Sequence, residues 1–392
     1  MLQQDFIAKL LEMEHMDFED VSVSDREIVL KVSMRRRATE CPACGAFTDR
    51  VHDYRLQRVK DIPIQGKHVI LEYRKRRYAC ACGKRFYEKN CYLPRFHRIT
   101  NRLAFHCMDL LKENRSRKAI AMATGVSEST VCRWMNLTGQ GAPARLPEVL
   151  SIDEFRGNTD HGKFQAILTD PCHSRVLDVL PTCSEPEIRG YLSAFRNRND
   201  VKYFVTDMRK EYVRTAKDLF PQAKIVIDRF HVVRYCCWAL ENVRKRVQAK
   251  LLPEQRKYFK RSRRLLLAHM DSLNEDGKAA VERMLLYDRD LREAYLLKEK
   301  FYEFMDSADS GQARERLKAF RVYAHVADIR EFGPCLTMLD NWERYILNAF
   351  DCPYSNGFTE GCNNRIKSLK RTAFGYRSFR NFRNRILLVM NG

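Results

Sequence analysis

The sequence predicts an α/β protein in which a mixed β-sheet, interrupted by a long all-α insertion, is preceded by two small modules. Three observations predict it. Two cysteine pairs, CPACG from Cys41 and CACG from Cys80, bracket a strand-like stretch. The run GVSESTVCRW from Gly125 sets a turn glycine beside a short amphipathic segment. From Val149 onward, short apolar runs ending in Asp alternate with amphipathic stretches, the pattern of strands and helices sharing one sheet.

Composition bounds the partners. Seventy-one Lys and Arg against fifty Asp and Glu leave a formal charge of +21 over 392 residues, with a pI near 9.5. A nucleic acid or another anionic surface is therefore expected. A hydrophobic content of 45% suffices for ordinary packed cores. Apolar runs are only a few residues long, and the start, MLQQDFIAKLLEMEHMDFED, carries acids where a signal peptide needs cations. A cytosolic protein with no membrane partner is expected. Fourteen cysteines are too dilute for a disulfide scaffold, so reduced thiols such as Cys107, Cys132 and Cys335 are expected within apolar patterns.

The two cysteine pairs are the exception. Each is followed by a glycine that permits a tight knuckle, turning two sulfurs toward one cation. Cys41, Cys44, Cys80 and Cys82 are the expected ligands of a closed structural Zn2+ site, although the second pair has one intervening residue where two are usual. Four unrelated core cysteines are the alternative, and the paired spacing opposes it. Between the knuckles VILEYRKRRY alternates as the hairpins of a zinc ribbon would. Arg35, Arg36, Arg37, Arg74, Lys75, Arg76 and Arg77 crowd this module and could grip phosphates through bidentate hydrogen bonds. Arg74, Arg76 and Arg77 are the candidate DNA contacts; His52, His68 and Cys91 read as structural.

In residues 113–136, Ile120 and Ala121 form the apolar stripe of a short helix, Gly125 turns, and Ser127 caps a second helix. Val131, Trp134 and Met135 of that helix pack inward. The spacing is that of a helix-turn-helix whose second helix exposes Glu128, Ser129, Cys132 and Arg133 to a major groove, with Ser129 and Arg133 as DNA contacts. Two packed helices without a DNA role would read the same way. Pro143 and Pro147 mark a linker.

Beyond the linker, VLSIDEF, KFQAILTD and SRVLDVLP read as three strands, SEPEIRGYLSAF as a helix opened by Ser184, and VKYFVTDM as a fourth strand. KEYVRTAKDLF follows as a helix, and AKIVIDRFHVV as a fifth strand carrying Asp228 and His231. A sheet of this order sets the first and fourth strands side by side, making Asp153 and Asp207 neighbours. Two adjacent carboxylates in a basic protein call for a divalent cation, and magnesium fits best.

The segment from Ser355 to Ile386 holds one acid, Glu360, among eight Lys and Arg. At 100° per residue, Phe358, Cys362, Ile366, Leu369 and Ala373 share one side of a helix, and Glu360, Asn364, Lys367 and Arg371 the other. An acid followed by amides and cations suits a metal ligand beside a polyanion, though a solvated helix face has the same pattern. Glu360 would complete the site of Asp153 and Asp207; Asn364, Lys367, Lys370 and Arg371 would hold the nearby strand. Between His231 and Pro353, WALENVRKRVQAKL, GKAAVERMLLYDRDLREAYLLKEKFYEFM and ARERLKAFRVYAHVADI read as helices of an insertion, with KYFKRSRRLLL as a basic patch. A separate partner-binding helical domain is the alternative. Trp238 and Trp342 read as core residues rather than base-stacking ones.

CPACG, CGKRF, GVSESTVCRW, SIDEF, VTDM, IDRFHVVR and SNGFTEGCNNRIKSLKRTAFGYRSFRNFRNRI together make the chain resemble, over nearly its whole length, transposases of the ISL-three family of bacterial insertion sequences. The resemblance implies a ribonuclease H-like core in which Asp153, Asp207 and Glu360 are the DDE acids binding Mg2+ or Mn2+. Asp228 and His231 then match a supporting D-x-x-H element. It implies binding of double-stranded terminal inverted repeats, cleavage at the element ends, and joining of the 3′-hydroxyls to target DNA by two-metal chemistry. A homo-oligomer on DNA, located in the bacterial cytoplasm at the nucleoid, is expected. The expected domains are an N-terminal segment and zinc ribbon over 1–95, a helix-turn-helix over 96–142, a catalytic core over 149–235 and 353–392, and a helical insertion over 236–352. A catalytically silent DNA-binding regulator and a structure-selective nuclease are the alternatives.

Overall fold

The computed structural model describes residues 2–94, 97–137, 139, 141–259 and 262–392, with side chains from residue 6 onward. Lys260 and Arg261 of the expected basic patch lie outside the described residues. The chain divides into two compact units, Met1–Gly141 with Ile366–Gly392, and Ala142–Arg365.

In the first unit, helix α1 (Leu2–Leu10) leads to strands β1 (Met16–Val23), β2 (Glu27–Met34), β3 (Thr39–Glu40), β4 (Phe47–Thr48), β5 (Val51–Ile64), β6 (Lys67–Ala79) and β7 (Arg85–Tyr87). The main sheet runs β1-β2-β6-β5, with β7 on β6, and β3 pairs separately with β4. Parallel pairing sets Ile28 on Val69, Leu30 on Leu71 and Val32 on Tyr73. All six are buried, because residues two apart share a strand face and every second one here is apolar. Gln65 and Gly66 turn β5 into β6 at φ 51° and 77°, the positive values that a tight hairpin turn requires.

Three helices follow: α2 (Asn101–Lys112), α3 (Arg117–Thr124) and α4 (Glu128–Leu137). The Ser116 hydroxyl accepts from the Ala119 N–H at the start of α3, and Gly125 ends that helix at φ 68°. Leu103, Cys107, Leu111, Ile120, Val126, Val131 and Met135 form the bundle's core. Buried Asp61 of β5 accepts from the Thr100 hydroxyl at 2.7 Å and from the Arg102 guanidinium, tying α2 to the sheet.

The second unit begins with β8 (Val149–Thr159), β9 (Gly162–Asp170), β10 (Arg175–Leu180), α5 (Glu185–Ser193), β11 (Tyr203–Thr206), α6 (Lys210–Leu219) and β12 (Lys224–Ile227). Its sheet order is β10-β9-β8-β11-β12, so the first and fourth strands are adjacent as expected. β8, β9 and β10 pair antiparallel; β8, β11 and β12 are parallel. Strand alternation separates the two faces. Leu150, Ile152, Phe204, Ile225 and Ile227 join Ile188 and Leu192 of α5 and Tyr212 and Ala216 of α6 in one core. Val149, Val205 and Val226 point the other way, against Ala349 and Cys352.

The expected fifth strand is corrected: it stops at Ile227, and α7 (Arg229–Lys250) starts two residues later. The Asp228 carboxylate accepts from the Phe230 N–H and caps this helix, so Asp228 and His231 sit at a helix start. The insertion continues as α8 (Pro253–Arg256), α9 (Ser262–Leu267), α10 (Glu275–Leu285), α11 (Arg289–Met305), α12 (Ser310–Ala327) and α13 (Gly333–Leu347). The single helix expected from Gly277 to Met305 is two, because Asp288 accepts from the Leu291 N–H and starts a new one. Trp342 is buried as expected, whereas Trp238 is 48% exposed and is no core residue.

After α14 (Gly357–Thr372) comes α15 (Phe379–Asn391), which packs on α2 and α4 of the first unit. Arg385 is fully buried and donates to the carbonyls of Glu113 at 3.0 Å and Arg115 at 2.6 Å, closing the loop after α2. Asn381 and Asn384 grip Asn136 of α4 at 3.0 and 2.9 Å.

Candidate active site and metal centre

The strand expected to end at Asp153 is corrected, since β8 runs on to Thr159 with Asp153 inside it; the acids gather where the parallel pairing of the second unit stops, with Asp207 and Asp228 just past β11 and β12. Val205 pairs with Ser151, and Thr206 with Ile227. Two residues past Ser151 lies Asp153, two past Val205 lies Asp207, and Asp228 follows Ile227 directly. Alternation puts them on the face opposite the α5 and α6 core. Asp153 is 8% exposed; its carboxylate accepts from the Glu154 N–H at 2.7 Å and from the Asn363 amide at 2.9 Å.

Asn363 belongs to α14, one turn after Glu360. The opening of that helix is pinned to the same sheet face. The Ser151 hydroxyl donates to the Asn356 side-chain Oδ1 at 2.5 Å and lies 3.2 Å from the Thr359 hydroxyl, which is 2.7 Å from that of Thr169. Asn356, Thr359 and Asn363 face the sheet and are buried; Glu360, about 100° around from Thr359, is half-buried beside them. None of these anchors was singled out from the sequence, where short polar residues on an apolar helix face carry no signal until the facing strand is known.

Burial raises the carboxyls of Asp153 and Asp207 to about 6, and the charge of Asp153 adds to the rise at Asp207. His231 donates to the Asp228 carboxylate at 3.2 Å, and this bond raises its pKa although burial opposes it. Its positive charge lowers both Asp153 and Asp207, partly relieving their repulsion. Carboxylates whose charges oppose each other's ionisation suit a cation, and the buried Asn363 Oδ1, on the side chain bonded to Asp153, has no hydrogen-bond partner. Among the described residues, only the cysteine cluster brings three or more ligand atoms within 4.8 Å of one another. Asp153, Asp207 and Glu360 are not drawn into such a cluster.

The cysteine cluster is closed. Cys41 and Cys82 sulfurs lie 3.7 Å apart, those of Cys44 and Cys80 3.5 Å, and all four fall within 4.8 Å. Tetrahedral zinc with bonds of about 2.3 Å spaces its sulfurs by about 3.8 Å, so the residues fit that ion. Gly45 and Gly83 take φ 73° and 87° in the two knuckles, and the single residue between Cys80 and Cys82 does not prevent convergence.

The expected DNA contacts divide. Arg74 is exposed, stacked 4.0 Å from the Tyr54 ring centroid. Arg77 is half-buried, 3.5 Å from Asp53. Arg76 is corrected: it is 8% exposed, pairs with Glu88 at 3.3 Å and donates to the Met34 carbonyl, so its guanidinium serves the fold. Ser129 and Arg133 are exposed on α4, but Cys132 is half-buried against Arg117 and Asn381 and does not reach a groove. Asn364, Lys367 and Arg371 are exposed along α14, and Lys370 is half-buried.

Comparison with known proteins places the chain in a family. A transposase family model matches residues 150–386. A second, described as the zinc-finger of transposase IS204/IS1001/IS1096/IS1165, matches residues 37–82. The transposase for insertion sequence element IS1001 of Bordetella parapertussis is 29% identical over 348 residues, covering 86% of this chain and 85% of its own. A protein of Lactococcus lactis subsp. lactis described as an ATP-dependent protease is 47% identical over 55 residues, 13% of this chain and 18% of its own, too short a stretch to carry an activity. No helix among the described residues is long and apolar enough to cross a membrane. With the transposase model spanning more than half of its length, from the first acid-bearing strand to the last helix, the chain belongs to the ISL3 family of transposases.

Proposed function

We propose that this protein binds the terminal inverted repeats of an insertion sequence, cleaves DNA at the element ends and joins the freed 3′-hydroxyls to target DNA. The observation that carries this reading is the pair Asp153, buried in β8, and Asp207, half-buried just past the adjacent parallel strand β11, both carboxyls raised, with the Glu360 helix tied to Asp153 through Asn363. The order β10-β9-β8-β11-β12 with its helical insertion supports a ribonuclease H-like core. Asp153, Asp207 and Glu360 would hold Mg2+ or Mn2+. Bound there, such ions activate a water or 3′-hydroxyl and stabilise the departing oxygen of a phosphodiester. Asp228 orients His231, whose positive charge tempers the acids.

Recognition falls to the first unit in this reading. The zinc ribbon presents Arg74 and Arg77, and α3 and α4 act as a helix-turn-helix with Ser129 and Arg133 at the groove. Lys367, Lys370 and Arg371 hold the strand near Glu360. Two element ends must be handled together, so the working form is a homo-oligomer on DNA. The test is cleavage and joining of a labelled duplex of the native flanking ends with magnesium. Wild type should yield products, and Asp207→Ala and Glu360→Ala none. End-specific binding without products from wild type would favour a silent regulator, and cleavage of branched DNA regardless of end sequence a structure-selective nuclease.

A further inference from the structure

The first three turns of α7 carry an aromatic row that the acid chemistry does not use. Phe230 is 54% exposed and Trp238 48% exposed. Between them stands exposed Arg234, its guanidinium 4.3 Å from the Trp238 ring centroid. At spacings of four residues, and about 6 Å of rise each, the three form one stripe along the helix. The stripe starts at the acid site: Phe230 follows the capping Asp228 by two residues, and its ring meets His231 edge to face at 5.6 Å. The opposite face of α7, with Val232, Cys236, Ala239 and Leu240, is buried in the insertion core, so the stripe is not a by-product of a wholly apolar helix.

Two large rings half in water, with a planar cation stacked against the second, form a surface for flat, electron-rich partners in a polyanion. A paired base offers neither face, because both are stacked within the duplex. We propose that Phe230, Arg234 and Trp238 are a stacking platform for unpaired bases of the DNA strand whose phosphodiester lies at Asp153 and Asp207. This rests on the transposase reading. The charge of +21, the guanidinium within the row and the row's start beside Asp228 and His231 all favour a nucleic-acid occupant.

The test uses full-length protein in magnesium-free buffer and two probes, a fully paired duplex and the same duplex bearing a few unpaired nucleotides at one end. Wild type should bind the second more tightly, and its tryptophan emission should be quenched by that probe. Trp238→Ala should weaken binding of the unpaired probe by roughly 5- to 140-fold, the equivalent of about 1–3 kcal/mol, while changing duplex binding less than about twofold. Trp238→Phe should keep most of the affinity and lose the quench, and Phe230→Ala should repeat the selective loss. Equal weakening on both probes, or none on either, overturns the platform. So does a change in oligomeric mass without a change in DNA binding, which would make the row a protein contact. In a parallel assay with magnesium, wild-type cleavage of paired ends alongside an unselective Trp238→Ala would sink the platform and spare the transposase reading. Selective binding without cleavage by wild type would do the reverse.

Discussion

The two metal-suited sites are built in opposite ways. The cysteine cluster takes its ligands from two knuckles, each spanning a few residues, and closes on itself, every sulfur within 4.8 Å of the others. The proposed acid site draws on Asp153, Asp207 and Glu360, spread over more than 200 residues of chain, and is not closed into a cluster of that kind. A closed site spends its ion on the fold; an open one leaves coordination positions for a substrate.

The largest break in this contrast should come from the closed site. Cys80→Ser, or removal of zinc by a strong chelator, should unfold the ribbon, since structural zinc contributes about 10–16 kcal/mol of apparent binding energy in small domains. Zinc content near one ion per chain, falling to none with loss of ribbon structure by NMR, is the expected outcome. Magnesium removal should leave the fold in place.

At the open site the effect is on rate and on pH. Asp207→Asn should lower cleavage by roughly 10^2- to 10^4-fold. The same change should raise the melting temperature of the magnesium-free protein. Both carboxyls ionise near 6 when folded and near 3.8 when unfolded, so the folded state holds the extra protons and stability falls as pH rises from about 4 through 6. Stabilisation by magnesium should therefore be larger at pH 7.5 than at pH 5, where protons compete for the same oxygens. A magnesium shift in melting temperature that ignores pH would argue that the ion binds elsewhere.

Arg76→Ala sharpens the contrast within the ribbon module. It strands Glu88 in a buried place and should cost about 3–5 kcal/mol of stability. Arg74→Ala should leave stability alone and reduce the salt slope of DNA binding by about one. Smallest of the set, Asn363→Ala should weaken magnesium binding by about 10- to 100-fold without unfolding the protein, because it removes the amide that orients Asp153. Isothermal titration of the metal reads this directly.

Much of this was legible in the sequence. Cys41, Cys44, Cys80 and Cys82 are marked by spacing and by the glycines after them, so closure follows from local chemistry alone. The strand order, and with it the adjacency of Asp153 and Asp207, follows from alternating apolar runs and helices. What escaped depends on contacts far apart in the chain. Asn363 looks like any amide on a basic helix until Asp153 is set opposite. Arg76 and Arg74 are indistinguishable in VILEYRKRRY, and only the approach of Glu88 and Met34 makes one structural. Trp238 sits in a helix whose other face is apolar, and its exposure depends on where that face is buried.

The grip of Arg385, Asn381 and Asn384 on α2 and α4 has a temporal side. Residues 1–141 leave the ribosome about 225 residues ahead of Ile366, a wait of roughly 10–45 s at ordinary synthesis rates. Throughout that interval the three-helix bundle lacks the strap that seals its last loop and clamps Asn136. A chain cut short anywhere in the core or insertion would carry the ribbon and the bundle without that strap. Completion of synthesis is thereby written into the packing of the first unit.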